Sequence, residues 1–245
     1  MGTVSAGAIR RSPIHTGRVV GTAVLTPRMR RITVQSDAMR GVAVRPAQDV
    51  ELHLREESGR RVKRRYTIRH SRPDSGELDL DFVLHGDGPG ALWGETAQPG
   101  DQVEFQGPRG KLELRTAPWH LLCGDESALP AIAAIAEALP PEERGLAVVE
   151  VRDASDELPI ARDVRWAHRG ADHRPGAPEL LVSAVAEVDL ARPVETHAYL
   201  LGETRSMVAL RSLLEERGVP HDAIFVKGYW NIARPDRIAG KAPRR

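Results

Sequence analysis

The segment Arg64-Arg65-Tyr66-Thr67-Ile68-Arg69 places guanidinium groups, a phenol and a hydroxyl within six residues. On an extended chain alternate side chains share a face, so Arg64 and Tyr66 point the same way. A guanidinium makes two parallel hydrogen bonds to a phosphate, and a tyrosine two residues on adds an aromatic wall and a hydroxyl. That pairing suits a phosphorylated ring system such as a flavin dinucleotide. Six of the ten residues 60–69 are Lys or Arg, so a solvated basic strand or a nucleic-acid patch also fits the composition.

Three further segments carry chemistry. Gly124-Asp125-Glu126-Ser127-Ala128-Leu129-Pro130 reads as a turn between an apolar strand and a helix, the place where nucleotides bind in α/β sheets. Two acids repel phosphate there, so the segment suits the ribose or nicotinamide end of a nucleotide. An ordinary helix capped by Ser127 or Asp125 explains the same residues. His85-Gly86-Asp87-Gly88-Pro89-Gly90-Ala91 formally contains G-x-G-x-x-A after a strand. No helix is predicted after it, because Trp93 soon meets Gln98-Pro99-Gly100. The preceding strand also alternates as in an antiparallel sheet, so the dinucleotide fingerprint is set aside. A plain hairpin turn or a backbone cradle for phosphate remains. His85 and Trp93, taken singly, read as structural. Finally, Ile224-Phe225-Val226-Lys227-Gly228-Tyr229-Trp230 is a strand ending in two aromatics, which suit either a core or the wall of a cofactor. No G-x-S-x-G, H-E-x-x-H or Cys/His metal spacing occurs, and neither a catalytic acid or base nor a metal site is assigned.

The elements needed to position these groups divide the chain in two. Residues 17–24, 31–35, 50–54, 77–85 and 102–105 have strand character. Leu78, Leu80, Phe82 and Leu84 fall on one face of the fourth, and Glu77, Asp79 and Asp81 on the other. Many short strands with Gly/Pro turns predict a small barrel. Beyond 116–118 strands alternate with helices. Strands are predicted at 120–123, 146–151, 164–167, 198–201 and 223–226. A helix is predicted over 127–139, and another follows Thr204 as its N-cap. The expected fold is a β-barrel domain over 1–116, then a parallel-sheet α/β domain over 117–245.

Composition narrows the function. The 245 residues carry a net charge of +1, which argues against a dedicated nucleic-acid protein. The single cysteine, Cys123, excludes a disulfide framework or an iron–sulfur site. No signal-peptide core or membrane-spanning apolar run is read, so a cytoplasmic protein without stable membrane association is expected.

In order and spacing these motifs resemble the siderophore-interacting protein family of NAD(P)H-dependent ferric-siderophore reductases, a branch of the ferredoxin-reductase-like flavoproteins. The resemblance spans most of 18–230, through residues 64–69, 85–110, 121–132, 201–203 and 210–230. It implies a Greek-key FAD-binding barrel followed by an NAD(P)-binding α/β domain. In that scheme Arg64 contacts the FAD pyrophosphate, Tyr66 packs on the ring or ribityl, and Thr67 lies near the reactive ring nitrogen. His85 and the loop through Gly88, with Trp93 beyond, line the adenine or pyrophosphate side. Asp125, Glu126, Ser127, Gly202 and Glu203 face the nicotinamide nucleotide, with Tyr229 and Trp230 beside the cofactor. The substrate is a ferric siderophore, often anionic. Lys227 is the leading substrate contact, with Arg69, Lys63 and Arg65 behind it. Gly90 and Ala91 stand where the family usually has Ala-Ser, which removes a hydroxyl donor to the pyrophosphate. A flavin reductase with another electron acceptor and a non-enzymatic flavin or siderophore carrier are the alternatives. Arg152, Arg205 and Arg211 are equivalent candidates for the 2′-phosphate of NADPH.

Overall fold

The computed structural model describes residues 13–56, 58–84, 88–171 and 173–233. Six antiparallel strands come first: β1 (His15–Thr26), β2 (Met29–Gln35), β3 (Asp49–Arg55), β4 (Arg61–Arg72), β5 (Glu77–Val83) and β6 (Gln102–Arg109). They close into a barrel in the order β1-β2-β5-β4-β3-β6. The alternation in β5 puts Leu78, Leu80 and Phe82 inside, against Ile32, Leu52 and Phe105. The outward side of β5 is not bare. Asp79 and Asp81 are also buried. Arg31 binds Asp81 at 2.7 Å, and Arg72 binds Asp79 at 2.8 Å.

A helix does follow the Gly-rich loop, contrary to the sequence expectation. It is α1 (Pro89–Thr96), with Gly88 as N-cap and Pro89 in its first turn, where a missing N–H costs nothing. Its glycines disguised it. Gly94 is required by packing, because a Cβ there would lie 2.6 Å from the Phe82 Cβ. The other ground for rejecting a dinucleotide fingerprint stands, since β5 pairs antiparallel with both β2 and β4.

The second half holds a parallel sheet of β7 (Trp119–Asp125), β8 (Arg144–Val151), β9 (Asp163–His168), β10 (Thr196–Glu203) and β11 (Ile224–Trp230). Its order is β11-β10-β7-β8-β9. The chain starts in the middle, runs out to β9, then returns to β10, so a topological switch point lies between β7 and β10. The helix α2 (Leu129–Ala138) covers one face, and α3 (Pro178–Ala186) with α4 (Thr204–Glu216) covers the other. The sequence reading missed α3. Glu203, not Thr204, caps α4, accepting hydrogen bonds from the backbone of Arg205 and Ser206. Thr204 instead donates its hydroxyl to the Trp230 carbonyl at 2.8 Å. Met29 and Ala47 of the barrel pack into the same core as Ile132, Ile135 and Leu201, so the two halves share apolar burial.

Candidate functional site

Strand β4 has two working faces. Arg64 and Tyr66 turn toward the start of α1, as their spacing predicts. A Cβ on Gly90 would lie 2.1 Å from the Tyr66 hydroxyl and 3.6 Å from the Arg64 Cγ, so only glycine permits this approach. The Tyr66 ring lies 3.9 Å from that of Phe82, and Phe82 lies 5.2 Å from Trp93. Burial raises the Tyr66 phenol above its ordinary range, so it stays protonated. Trp93 belongs to this aromatic wall through Phe82.

Arg64 stands apart from the other cations of β4. Arg61 meets Glu104 at 3.9 Å, Lys63 meets Glu51 at 2.9 Å, Arg65 meets Asp49 at 2.8 Å and Arg72 meets Asp79 at 2.8 Å. Arg69 grips Glu137. Among the described residues Arg64 forms no salt bridge, although its charge helps, after Arg60, to lower the Glu56 carboxyl, and its guanidinium donates only to the Lys63 carbonyl at 3.0 Å. The stem of Arg64 passes the first turn of α1, and a guanidinium and first-turn amides are both phosphate receivers. Gly88 caps that turn. His85 lies outside the described residues, as do Gly86 and Asp87.

The opposite face of β4 forms the seam between the halves. Asp49, almost fully buried, takes both Arg65 and Lys227, the latter at 2.9 Å. The Lys227 ammonium also sits 4.9 Å from the centre of the Tyr229 ring, a cation–π arrangement. Thr67 donates its hydroxyl to that of Tyr229 at 3.4 Å. Arg69 is only 10% exposed and is held by Glu137 of α2. It therefore joins the barrel to α2 across the seam. Lys63 and Arg65 are engaged by acids in the same manner.

At the switch point the separate motifs converge. The Asp125 carboxylate accepts from the Ser127 backbone at 2.9 Å, from the Glu203 backbone at 2.7 Å and from the Trp230 indole at 2.9 Å. The Ser127 hydroxyl bonds to it as well. Gly202 makes room for this knot, because a Cβ there would fall 2.6 Å from the Asp125 carboxylate. Asp125 is thus turned inward, where it caps the short 3-10 turn Glu126–Ala128 that leads into α2, and the Glu203 carboxylate caps α4. Glu126 leaves this group and pairs with Arg169 at 2.6 Å, and Arg169 also reaches Glu150 at 3.4 Å. Burial first, and the neighbouring Asp125 second, push the Glu150 carboxyl up to about 7.

A cleft of about 370 Å³ opens between the barrel and the carboxyl ends of β7 and β8. Met29, Leu84 and Leu129 give it an apolar wall, and Arg28, Arg152 and Arg169 give it cations. Sequence reasoning missed Asp49, Glu150, Arg28 and Arg169. Their partners are distant in sequence, so no local pattern marks them. Among the described residues no cluster of His, Cys, Asp or Glu is arranged to hold a metal, and no helix is long and apolar enough to cross a membrane.

Residues 117–233 match the family described as siderophore-interacting protein, and residues 45–112 match the siderophore-interacting FAD-binding domain. Ferric vibriobactin reductase ViuB of Vibrio cholerae is 37% identical over 177 residues, which are 69% of this chain and 64% of that protein's length. A siderophore utilization protein from T. fusca superposes with a TM-score of 0.84 at 30% identity, covering 93% of this chain and 96% of that one. The ferredoxin reductase in carbazole 1,9a-dioxygenase shares the fold, with a TM-score of 0.73 at 21% identity over 89% of this chain and 70% of its own.

Proposed function

The chain belongs to the siderophore-interacting protein family and carries its FAD-binding domain, and from that premise we propose that it is an NAD(P)H-dependent ferric-siderophore reductase. One observation carries the reading: among the described residues Arg64 is the arginine of β4 that forms no salt bridge, and it lies beside Tyr66 at the glycine-lined start of α1. These residues fit a flavin dinucleotide. Arg64 and the first-turn amides of α1 would hold its pyrophosphate, and Tyr66 would wall its ring. Bound FAD would supply the redox chemistry, taking a hydride from NAD(P)H and releasing electrons singly to chelated iron.

The chain's own groups prepare the setting. Thr67 and Tyr229 bring the barrel and the end of β11 together where the two rings must meet. Asp125 fixes Trp230 beside them. Lys227, half-buried over Tyr229, is the remaining substrate-side cation, with Asp49 tempering its charge. No proton transfer is needed at the iron. Fe(II) carries less charge than Fe(III) and is held less tightly by hard oxygen chelators, so reduction releases it. Ala91 offers no hydroxyl to the phosphates, and one missing hydrogen bond to a charged group weakens binding by about 10- to 100-fold.

Purified protein should take up FAD and bleach when NADPH or NADH is added without oxygen. Arg64→Ala should weaken FAD retention by about ten-fold or more while leaving the fold intact, as the Arg64 guanidinium bonds only the exposed Lys63 carbonyl among the described residues. Retention equal to that of the wild type would contradict the pyrophosphate assignment.

A further inference from the structure

The cleft between the halves contains three arginines, and two are internally neutralised. Arg28 is held by Asp156 at 2.6 Å and by Asp153 at 2.7 Å. Arg169 is held by Glu126 and Glu150. Arg152 lines the same cleft with no hydrogen bond or ion pair from its side chain among the described residues, and its backbone carbonyl, which accepts from Gly170 at 2.9 Å, fixes it beside the Arg169 turn. It directly follows β8, the second strand of the α/β half. In open α/β sheets the residue there meets the adenosine ribose: an acid binds the free 2′-hydroxyl, and an arginine accommodates a 2′-phosphate. Val83 and Leu84, only partly buried, supply an apolar surface for a purine across the same cleft.

The other candidates fail on contacts or on place: the side chain of Arg205 is also unpaired among the described residues, but Arg205 does not line the cleft. Arg211 is tied to Glu215 at 3.0 Å and to His221 at 2.7 Å. Arg205 projects from the first turn of α4, where the Glu203 carboxylate already occupies the amides. We infer that Arg152 receives the 2′-phosphate of NADPH in this cleft and so selects NADPH over NADH. The inference rests on the proposed function only in taking a nicotinamide nucleotide as the reductant.

Calorimetric titration of the protein, as purified and after FAD loading, with 2′,5′-ADP and with 5′-AMP tests it without any redox step. The wild type should bind 2′,5′-ADP about ten-fold or more tightly than 5′-AMP, the scale of a charge-assisted contact. Arg152→Ala should bring the two affinities to within about two-fold, Arg152→Lys should keep part of the difference, and FAD content should not change. Equal affinities in the wild type would overturn the assignment, as would a difference that survives in Arg152→Ala. Loss of FAD from Arg152→Ala would overturn it too, by giving the cleft to the adenosine of the flavin. Neither nucleotide carries electrons, so these results stand apart from whether a ferric chelate is reduced.

Discussion

Arg64 and Arg65 are adjacent and chemically identical, yet they face different neighbours. Arg65 points to Asp49 and shares it with Lys227, while the stem of Arg64 passes close to Gly90. Strand alternation made this division legible, because period two separates Arg64 and Tyr66 from Arg65 and Thr67. The partners were not legible. Asp49 meets Lys227 across 178 positions, and Arg69 meets Glu137 across 68, so no local pattern marks either pair. Asp49→Ala should strand both Arg65 and Lys227 and cost about 3 kcal/mol of stability, near the lower bound for breaking a buried pair because both cations keep some solvent. Urea unfolding measures it, and a loss below about 0.5 kcal/mol, the scale of an ordinary surface change, would mean that the seam does not depend on Asp49.

Among the elements, α1 shows why local patterns fail near a binding loop. Its two glycines depress helix propensity, yet each answers a close approach: Gly90 to Tyr66, and Gly94 to Phe82. Gly94→Ala gains about 1 kcal/mol of intrinsic propensity. The gain should be outweighed by overpacking against Phe82, for a net loss of about 1–2 kcal/mol in chemical denaturation. A stabilised variant would show that α1 is free to shift. The strand ends of the parallel sheet carry a second test. Glu150 has its folded pKa raised to about 7, above an unfolded value of about 4.3. The folded state therefore binds the extra proton, and the stability Glu150 contributes is full below about pH 4.3 and is lost as pH rises through about 7. Glu150→Gln should remove that share of the slope, worth about 3 kcal/mol, so that the variant gains on the wild type between about pH 5 and about pH 8 in urea unfolding. Parallel pH profiles for the two proteins would contradict the burial argument. The strand and helix alternation of this half was legible from apolar periodicity, but α3 and the carboxylate cap at Glu203 were not. A proline starts α3 directly, without the polar cap that marks a helix start in sequence, and Thr204 drew the cap reading one residue too far.

For the whole molecule, the seam is where the two halves become one device. Met29 and Ala47 share the α2 core. Arg28, Arg69, Lys227 and the Thr67–Tyr229 contact cross between the halves at separate places. Arg64 lies on the other face of β4, toward α1, while the α/β side of the seam holds the aromatics of β11 and the arginine-lined cleft. That arrangement makes sense if a flavin lies between an electron donor and an iron chelate. Fold and cofactor class were readable from motif order, whereas the cleft was not, because it is assembled from five stretches of chain that meet only in three dimensions. The most direct measurement loads the protein with FAD, reduces it without oxygen using NADPH, and then adds a ferric siderophore together with a colorimetric Fe(II) trap. The account predicts that the bleached flavin recolours as Fe(II) appears, about two irons for each two-electron flavin. A flavin that stays bleached while the chelate remains ferric would contradict it.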